Sequence, residues 1–491
     1  MFLMYFLAIL PILLLIVFSL TKGVKPAVIA GFLVTTIIFF FWGATIAQFL
    51  ATIGVSLVTT LNILMIIFGA AFLYNIMFKA GMIEQISHSL DNLHPSREIR
   101  FFLLAICLTA FFEGVAGFGT PGAIVPLLLM ALGYEAALSV SVVLLFDAFF
   151  ALFGAVGTPI ITGLQFPLDL PSHQIQEVGI ISAGIGVLVQ LVIIFFIFRL
   201  FKQYNYQLLH KGKILLLFSF FAIPFCLFAY FITELATVLA SLVMSVCSIL
   251  FLKYSQGPLS PKKLELKAWI PYAILAFLLL LPKFFEPLRR WIGWELAFPE
   301  MFGTTLDAAI KPLQSPLIPF LIVGIGVNLL KKGRSFYLME PLKKSANVFV
   351  ILFPSIAVAQ LMINSGVSQP SMITYLSEMF SLLGIVYVFF APFMGIMGTF
   401  ITGSTTISNV VLGPSQLETA SSILVHPTLI LSMQHVGAAL GNAICLFNII
   451  AAAAIANLQN YKDVLSKNLL PTLVGGLLTG ILGYIILLIF Y

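Results

Sequence analysis

The sequence predicts an all-α polytopic membrane protein with about 12–14 transmembrane helices, including discontinuous or re-entrant segments, in two related halves. Hydrophobic residues make up 61% of the 491 residues and charged residues only 9%, whereas soluble domains contain about 25% charged residues. The mean hydropathy is +1.13, and clusters of glycine and proline interrupt the apolar runs in both halves. This composition excludes a soluble enzyme, a disordered chain and a nucleic-acid-binding protein.

Basic residues lie at the ends of apolar runs and predict the orientation of the chain. No Lys or Arg lies between Arg100 and Arg199 or between Lys344 and Lys462. Short cytoplasmic loops are rich in Lys and Arg, so the net charge of +6 reflects the orientation of the chain in a bilayer. The same rule predicts that the N-terminus lies outside. The segments expected on the cytoplasmic side are 21–25, 79–100, 199–213, 253–267 and 331–344.

The first half must contain a break. Segments 79–100 and 199–213 are expected on the same side, so the chain between them crosses the membrane an even number of times. Three apolar runs connect them, at 101–132, 136–156 and 177–198. One of these runs is therefore expected to be broken or re-entrant.

A polar stretch with two tryptophans divides the chain. Tryptophan is enriched at membrane interfaces, so Trp291 and Trp294 predict an interfacial linker. The expected boundaries are 1–282 for the N-terminal membrane half, 283–314 for the linker, 315–491 for the C-terminal membrane half, and 100–199 and 345–461 for the two core segments. The first apolar run, 1–20, lacks a preceding basic region and is expected to remain as a span.

Two motifs in the first core segment are dense in glycine and proline. Residues 111–122 read FFEGVAGFGTPG, and residues 153–163 read FGAVGTPIITG. Glycine and proline at this density break helices, and broken backbone is tolerated at membrane depth only where it is buried in protein or lines a wet cavity. The free N–H groups of helix N-termini there attract anions.

The second core segment has motifs of the same character. Residues 395–414 combine glycine with a run of hydroxyl side chains, and residues 434–442 combine glycine with amides and a histidine. Interruptions in corresponding parts of two halves are typical of the binding site of a secondary transporter. Close packing of small residues is the alternative. Packing explains the glycines, but it explains neither the repeated Gly-Thr-Pro nor the hydroxyl run.

Three titratable residues are candidates for proton coupling. Glu113 and Asp147 are isolated acids in apolar runs, where burial favours the neutral form of a carboxyl group and an acid is a functional candidate by default. His435 lies in the second Gly-rich segment, and histidine titrates in the useful range. The alternatives are an acid that caps broken backbone, an acid bonded to a neighbouring hydroxyl, and a structural histidine in the core.

The candidate substrate contacts are small, hydroxyl and amide residues at the predicted breaks. Because neither core segment supplies Lys or Arg, a bound carboxylate is expected to be held by helix N-termini, backbone N–H groups and hydroxyls. Hydroxyls in membrane helices also bond their own backbone, which is the alternative for each residue. The candidates are Gly119, Thr120, Gly157, Thr158, Thr402, Gly403, Ser404, Thr405, Ser408, Asn409 and Asn442.

These motifs resemble the L-lactate permease family over nearly the whole chain. The family segment Glu-Gly-x-Ala-Gly-Phe-Gly-x-Pro corresponds to residues 113–121, Phe-Gly-Ala-x-Gly-x-Pro to 153–159, and Thr-Gly-Ser-x-Thr-x-Ser-Asn to 402–409. The resemblance implies a proton-coupled symporter of L-lactate or a related short 2-hydroxy monocarboxylate, such as glycolate, in the bacterial inner membrane. The sequence departs from the pattern at Asn442, where many members have Lys, and at Asp147, where many have Asn.

Other functions remain open at this stage. A cation/proton antiporter would also use buried acids, and a transporter of a different organic anion would use the same breaks. The expected partners are a small organic anion, a coupling proton rather than sodium, and the lipid bilayer, with no nucleic acid. An enzyme is not expected, because no catalytic motif is present. No cofactor or metal is expected either, because the four cysteines are far apart and have no metal spacing.

Overall fold

The computed structural model is almost entirely helical. It describes residues 2–490 apart from positions 83, 86–93, 95, 116, 118, 257–265, 269, 311, 314, 316, 332–336, 368 and 459. The helices are α1 Phe2–Lys22, α2 Val24–Phe41, α3 Ile46–Lys79, α4 Arg97–Leu103, α5 Thr109–Val115, α6 Thr120–Ala131, α7 Ala136–Phe150, α8 Gly154–Ile160, α9 Ser172–Gln203, α10 Lys211–Phe231, α11 Ala236–Gln256, α12 Ile270–Phe284, α13 Glu286–Ile292, α14 Leu317–Leu330, α15 Met339–Ile363, α16 Met372–Ser381, α17 Tyr387–Thr402, α18 Thr405–Ser422, α19 Pro427–Gly441, α20 Leu446–Ile455 and α21 Tyr461–Phe490.

The helices confirm the predicted all-α membrane fold. Among the described residues, eight helical segments are long and apolar enough to cross a membrane. They are Ile46–Lys79, Ala136–Gln165, Ser172–Gln203, Lys211–Phe231, Thr233–Leu252, Met339–Ile363, Gly384–Thr402 and Tyr461–Phe490. Four shorter apolar helices, Leu3–Leu15, Lys25–Phe41, Thr120–Ala131 and Leu317–Leu330, accompany them. The predicted number of about 12–14 includes such partial spans.

The re-entrant segment of the first half is a helical hairpin. Helix α4 continues through a π-helical turn at Leu104–Leu108 into α5, and the chain then reverses into α6. Arg97, at the start of α4, donates from Nε to the Leu132 carbonyl just after α6, at 2.8 Å. Both ends of the hairpin therefore lie at the same face of the protein. This hairpin supplies the break that the charge distribution predicts between 79–100 and 199–213.

The second half contains a matching hairpin made of α17 and α18. Ser408 of α18 donates to the Gly395 carbonyl of α17 at 3.0 Å, and Gln416 donates to Ala391 at 3.4 Å. The two helices are thus antiparallel and reverse at Gly403, whose φ of 76° suits glycine.

Each hairpin is followed by a discontinuous helix and a long helix, and the two units run in opposite directions. In the first unit these are α7 with α8, then α9; in the second they are α19 with α20, then α21. Lys467 near the start of α21 donates to the hydroxyl of Tyr204 at the end of α9. His426 at the start of α19 lies 3.7 Å from Glu177 near the start of α9. The two units are therefore related by inversion across the membrane, as transporter repeats are.

Described residues of three basic segments, 79–100, 199–213 and 331–344, lie at one face. Lys79 lies 3.9 Å from Glu340, and the Glu98 carboxylate accepts the backbone N–H of His210 at 2.9 Å. By the positive-inside rule this face is cytoplasmic. At the opposite face, the Tyr5 hydroxyl donates to Glu378 at 2.7 Å. The N-terminal end of α1 thus lies at the face opposite these basic residues, and its placement outside stays a prediction.

The segment between the two halves carries the only strands among the described residues. Strands β1, Leu296–Phe298, and β2, Ala308–Ile310, form an antiparallel hairpin after the short helix α13. Asn62 of α3 donates to the Ala309 carbonyl at 2.9 Å. The sequence pattern does not predict this strand hairpin, because three-residue strands leave no periodic signal.

Candidate functional site

A cavity of about 440 Å³ lies where the two hairpin tips meet the broken helix of the first unit. Gly117 and Gly119 line it from the first hairpin, and the segment 402–407 lines it from the second. Gly119 caps α6 and Ser404 caps α18, so the N-termini of both helices face the cavity. Such N-termini carry partial positive charge and free N–H groups, and they favour an anion.

The break between α7 and α8 is a strained part of the cavity wall. Ala155, Val156 and Gly157 all adopt left-handed backbone conformations, with φ of 42°, 57° and 73°. This region is costly for a β-branched residue such as Val156, and backbone strain of this kind is concentrated at functional sites. Helix α7 has already ended at Phe150, so the left-handed residues interrupt the helix within the bounds of α8. Gly154, Ala155 and Thr158 line the cavity at this interruption.

Two carboxyl groups lie side by side in this wall. Glu113 of α5 is 6% exposed and Asp147 of α7 is 3% exposed. Both line the cavity, close enough for their negative charges to repel each other. Like charges side by side disfavour one another, so a proton on one of the two groups stabilises the pair. Gly154 leaves the space for the Glu113 carboxyl, because a Cβ atom at position 154 would collide with it. The structure therefore brings together the two acids that the sequence singles out.

Two lysines from outside the core segments also line the cavity. Lys25 of α2 and Lys344 of α15 both contribute to its wall, and Lys344 is attracted electrostatically by Glu113. Both lysines lie near the start of their helices. They are absent from the site residues predicted from the sequence, because the basic residues are interpreted there as loop or helix ends.

A chain of polar side chains crosses the second half of the wall. Asn448 donates to Asn442 at 3.3 Å, Asn442 donates to the Thr405 hydroxyl at 2.8 Å, and Thr405 donates to the Ala438 carbonyl at 3.4 Å. All but Ala438 line the cavity. This chain fixes the orientation of two predicted substrate contacts, Thr405 and Asn442.

Two other hydroxyls of the cavity wall bond their own backbone. Thr158 donates to the Ala155 carbonyl at 2.5 Å, and Thr402 donates to the Gly398 carbonyl at 2.7 Å. Their oxygen lone pairs still accept hydrogen bonds, although their protons are engaged within the helix. A substrate hydroxyl, rather than a substrate carboxylate, is the group that these two oxygens can bind.

Five of the predicted site residues lie outside the cavity lining: Thr120, Gly157, Ser408, Asn409 and His435. Thr120 begins α6, and Gly157 packs so closely on the backbone of Glu234 that a side chain would not fit. Ser408 holds the two helices of the second hairpin together. These positions shape the wall from behind.

His435 and Asn409 connect the second hairpin to the first discontinuous helix. The Nε2 atom of His435 lies 2.9 Å from the Leu152 carbonyl, and its Nδ1 atom lies 2.8 Å from the Asn409 amide nitrogen. Because a carbonyl only accepts, Nε2 carries the hydrogen and Nδ1 accepts from Asn409. Asn409 also donates to the Pro159 carbonyl at 3.0 Å. A neutral imidazole satisfies both contacts.

A buried hydrogen-bond network extends this connection into the second hairpin. The Tyr387 hydroxyl donates to Gln416 at 2.7 Å, and Gln416 donates to Gln434 at 2.9 Å. Gln434 in turn donates to Ser408 at 3.3 Å. Buried polar networks that are satisfied in this way fix one arrangement of the helices around them.

Comparison with known proteins identifies the family to which these features correspond. The family model described as L-lactate permease matches residues 4–288 and 309–490. Relatives include an L-lactate permease of Bacillus subtilis, 26% identical over 88% of this chain and 91% of that protein. An L-lactate permease of Salmonella typhi and the glycolate permease GlcA of Escherichia coli are each 25% identical over 86% of this chain and 84% of theirs.

Among solved structures, the chain is similar to the crystal structure of the Alcanivorax borkumensis YdaH transporter. The TM-score is 0.45 and the identity is 13%, over 89% of this chain and 85% of that chain.

Proposed function

The chain belongs to the L-lactate permease family, and on that premise we propose that it is a proton-coupled symporter of L-lactate or a related short 2-hydroxy monocarboxylate, such as glycolate. It is a multi-pass protein of the bacterial inner membrane. One observation carries the proposal: an acid pair and two helix N-termini line the same cavity. The N-termini suit a carboxylate, and the acid pair suits a proton.

The wall offers separate groups for the two ends of a 2-hydroxy acid. The N-termini of α6 and α18 and the lysines attract the carboxylate. The hydroxyl oxygens of Thr158 and Thr402 and the amide of Asn442 suit the hydroxyl group, which both donates and accepts. A cavity of about 440 Å³ holds so small a molecule together with several waters.

Proton coupling follows from charge. A carboxylate that enters beside Glu113 and Asp147 adds a negative charge to an acid pair, and like charges disfavour one another. Proton uptake by the pair removes that repulsion, so proton binding and anion binding strengthen each other. Uptake is therefore expected to rise as the outside pH falls.

The position of the lysines bears on access and on the alternative functions. Lys25 is exposed, so in the described conformation the cavity opens toward the face that carries the basic segments, which the positive-inside rule assigns to the cytoplasm. Two lysines in the wall favour an anion over a metal cation as the transported species. They therefore support a symporter over a cation/proton antiporter.

The test is transport by the purified protein in liposomes with an imposed inward proton gradient. Uptake of labelled L-lactate and glycolate is followed beside protein-free liposomes and liposomes with Glu113→Gln or Asp147→Asn. Gradient-driven accumulation of one acid, lost in both variants, is the expected result. Accumulation that does not depend on pH but requires sodium would exclude the proton as the coupling ion. Proton movement driven by sodium or potassium, with no acid transported, would favour the antiporter.

A further inference from the structure

We propose that an apolar patch of the cavity wall binds the alkyl tail of the substrate, so that the protein prefers 2-hydroxy acids of four to six carbons over glycolate. The inference rests on the proposed function and names the substrate class within it. We call this patch the tail subsite. It consists of Ile67, Val348, Ile351, Leu352 and Ile407, which all line the cavity.

The residues of the tail subsite pack together. Ile67 of α3, Leu352 of α15 and Ile407 of α18 belong to one hydrophobic cluster. Val348 and Ile351 of α15 pack against that cluster, and the three residues of α15 lie at positions i, i+3 and i+4, which share a helical face. Among the described residues, no other large aliphatic side chain lines the cavity. The apolar part of the wall is therefore concentrated in one patch.

The groups that suit the polar end of a 2-hydroxy acid come mainly from other segments. Glu113 belongs to α5, Asp147 to α7, and Asn442 follows α19. The N-termini of α6 and α18 also face the cavity. A 2-hydroxy acid is divided in the same way, because its carboxylate and hydroxyl lie at one end and its alkyl tail at the other. A substrate whose polar end is held by these groups finds an apolar surface for its tail in the same cavity.

The size of the cavity also favours a tail. Pockets of about 300–1,000 Å³ hold drug-sized ligands, and this cavity has about 440 Å³, whereas glycolate has only two carbon atoms and no tail. With glycolate bound, water would fill the space beside the tail subsite. Ordered water needs polar partners, and the side chains of this patch supply none. Displacement of such water by an alkyl group improves affinity.

Close packing between helices is the alternative role for these side chains. Val348 and Ile351 are only partly buried although they pack against the cluster, so part of their surface is left for a ligand. The two roles predict different responses to chain length. Burial of one further methylene group strengthens binding about fourfold, whereas side chains that only pack against each other give no such increase.

The test is calorimetric binding of a series of acids to the purified protein in detergent at one pH. The acids are glycolate, L-lactate, L-2-hydroxybutyrate and L-2-hydroxyisocaproate, whose tails grow from none to four carbons. Affinity is expected to rise along the series by about fourfold for each buried carbon. The acid that binds most tightly is then followed as a labelled compound into liposomes with an inward proton gradient, where it should accumulate. Protein-free liposomes correct for diffusion of the protonated acid through the bilayer.

Two matched variants locate the tail. Threonine has nearly the shape of valine but carries a hydroxyl, so Val348→Thr makes the tail subsite more polar. It is expected to lower the ratio of the affinities for L-2-hydroxyisocaproate and glycolate about 3- to 10-fold. The control is Val350→Thr on the same helix, because Val350 is 41% exposed and lies outside the cavity lining; its ratio should equal that of wild type. Ile351→Phe fills the subsite and should also lower the ratio. Melting temperatures show whether each variant folds.

The outcomes separate this inference from the proposed function. If the protein binds glycolate or L-lactate and affinity stays level or falls as the tail grows, the tail subsite is wrong and the proposed function stands. The same follows if Val348→Thr and Val350→Thr give equal ratios, or if the longer acids bind but do not accumulate. If none of the four acids binds, the proposed function fails and the tail subsite falls with it.

Discussion

Replacement of His435 tests whether this residue braces the cavity wall or carries a proton. His435 is fully buried, and its two ring nitrogens contact Leu152 and Asn409 at 2.9 and 2.8 Å. Alanine at this position leaves the Leu152 carbonyl and one N–H of the Asn409 amide without a partner, although Asn409 still donates to Pro159. An unsatisfied buried group costs about 1–3 kcal/mol, so His435→Ala is expected to lower the free energy of unfolding by roughly 2–6 kcal/mol.

The conservative variant His435→Gln separates the two roles. A glutamine amide can donate to the Leu152 carbonyl and accept from Asn409, but it has no proton to exchange near neutral pH. If His435 is a brace, His435→Gln retains a melting temperature close to wild type and the full rise of uptake with falling pH. The assays are thermal unfolding in detergent and uptake into liposomes across a series of outside pH values.

A particular result would refute this interpretation. If His435→Gln is as stable as wild type but its uptake no longer depends on pH, His435 is a proton carrier, as the sequence pattern alone suggests. Loss of stability in His435→Gln as large as in His435→Ala would instead mean that the imidazole ring makes a contribution other than its two hydrogen bonds.

Two further predictions concern the acid pair and the cytoplasmic face. Gly154→Ala places a methyl group against the Glu113 carboxyl. This variant should reduce gradient-driven uptake about tenfold or more at a nearly unchanged melting temperature. The control is Gly184→Ala, which has open space around it and should transport normally. Burial and then the charge of Lys213 lower the pKa of His94, so the unfolded state binds more protons and stability should fall as pH drops below about 6.5. His94→Asn should reduce that loss of melting temperature between about pH 7.5 and 5.5, and an unchanged loss would contradict the assignment.

The sequence predicts much of the fold because helix breaks have a clear chemical signature. Gly-Thr-Pro at 119–121 places glycine where the backbone is left-handed and proline in the first turn of α6, where no N–H partner is lost. The even number of crossings required by the basic segments independently predicts the re-entrant hairpin. The family resemblance is confirmed by the family model. The two units show no repeat of individual residues in the sequence, because their inverted relation requires only that helices are interrupted at equivalent places.

The composition of the site is harder to predict from the sequence. Residues of α18 such as Thr405, Ser408 and Asn409 are all buried, so periodicity does not tell which of them face the cavity and which face protein. Lys344 follows a basic segment, and the sequence does not tell that it lines a cavity until the packing of α15 is known. A polar residue at the head of an apolar helical stripe, as in Lys344 and Asn347, is the one signal that points to the cavity wall.

The two departures from the family pattern describe a single change in the charge of the cavity. Asn442 stands where many members have Lys, and Asp147 stands where many have Asn, and both line the same wall. Each change makes the wall one unit more negative. Lys25 and Lys344 line the same wall, but Lys25 is exposed, so water and salt screen its charge. A carboxylate is then repelled unless the acid pair is protonated. In the proposed symporter, proton uptake is thus a condition for anion binding as well as a source of energy.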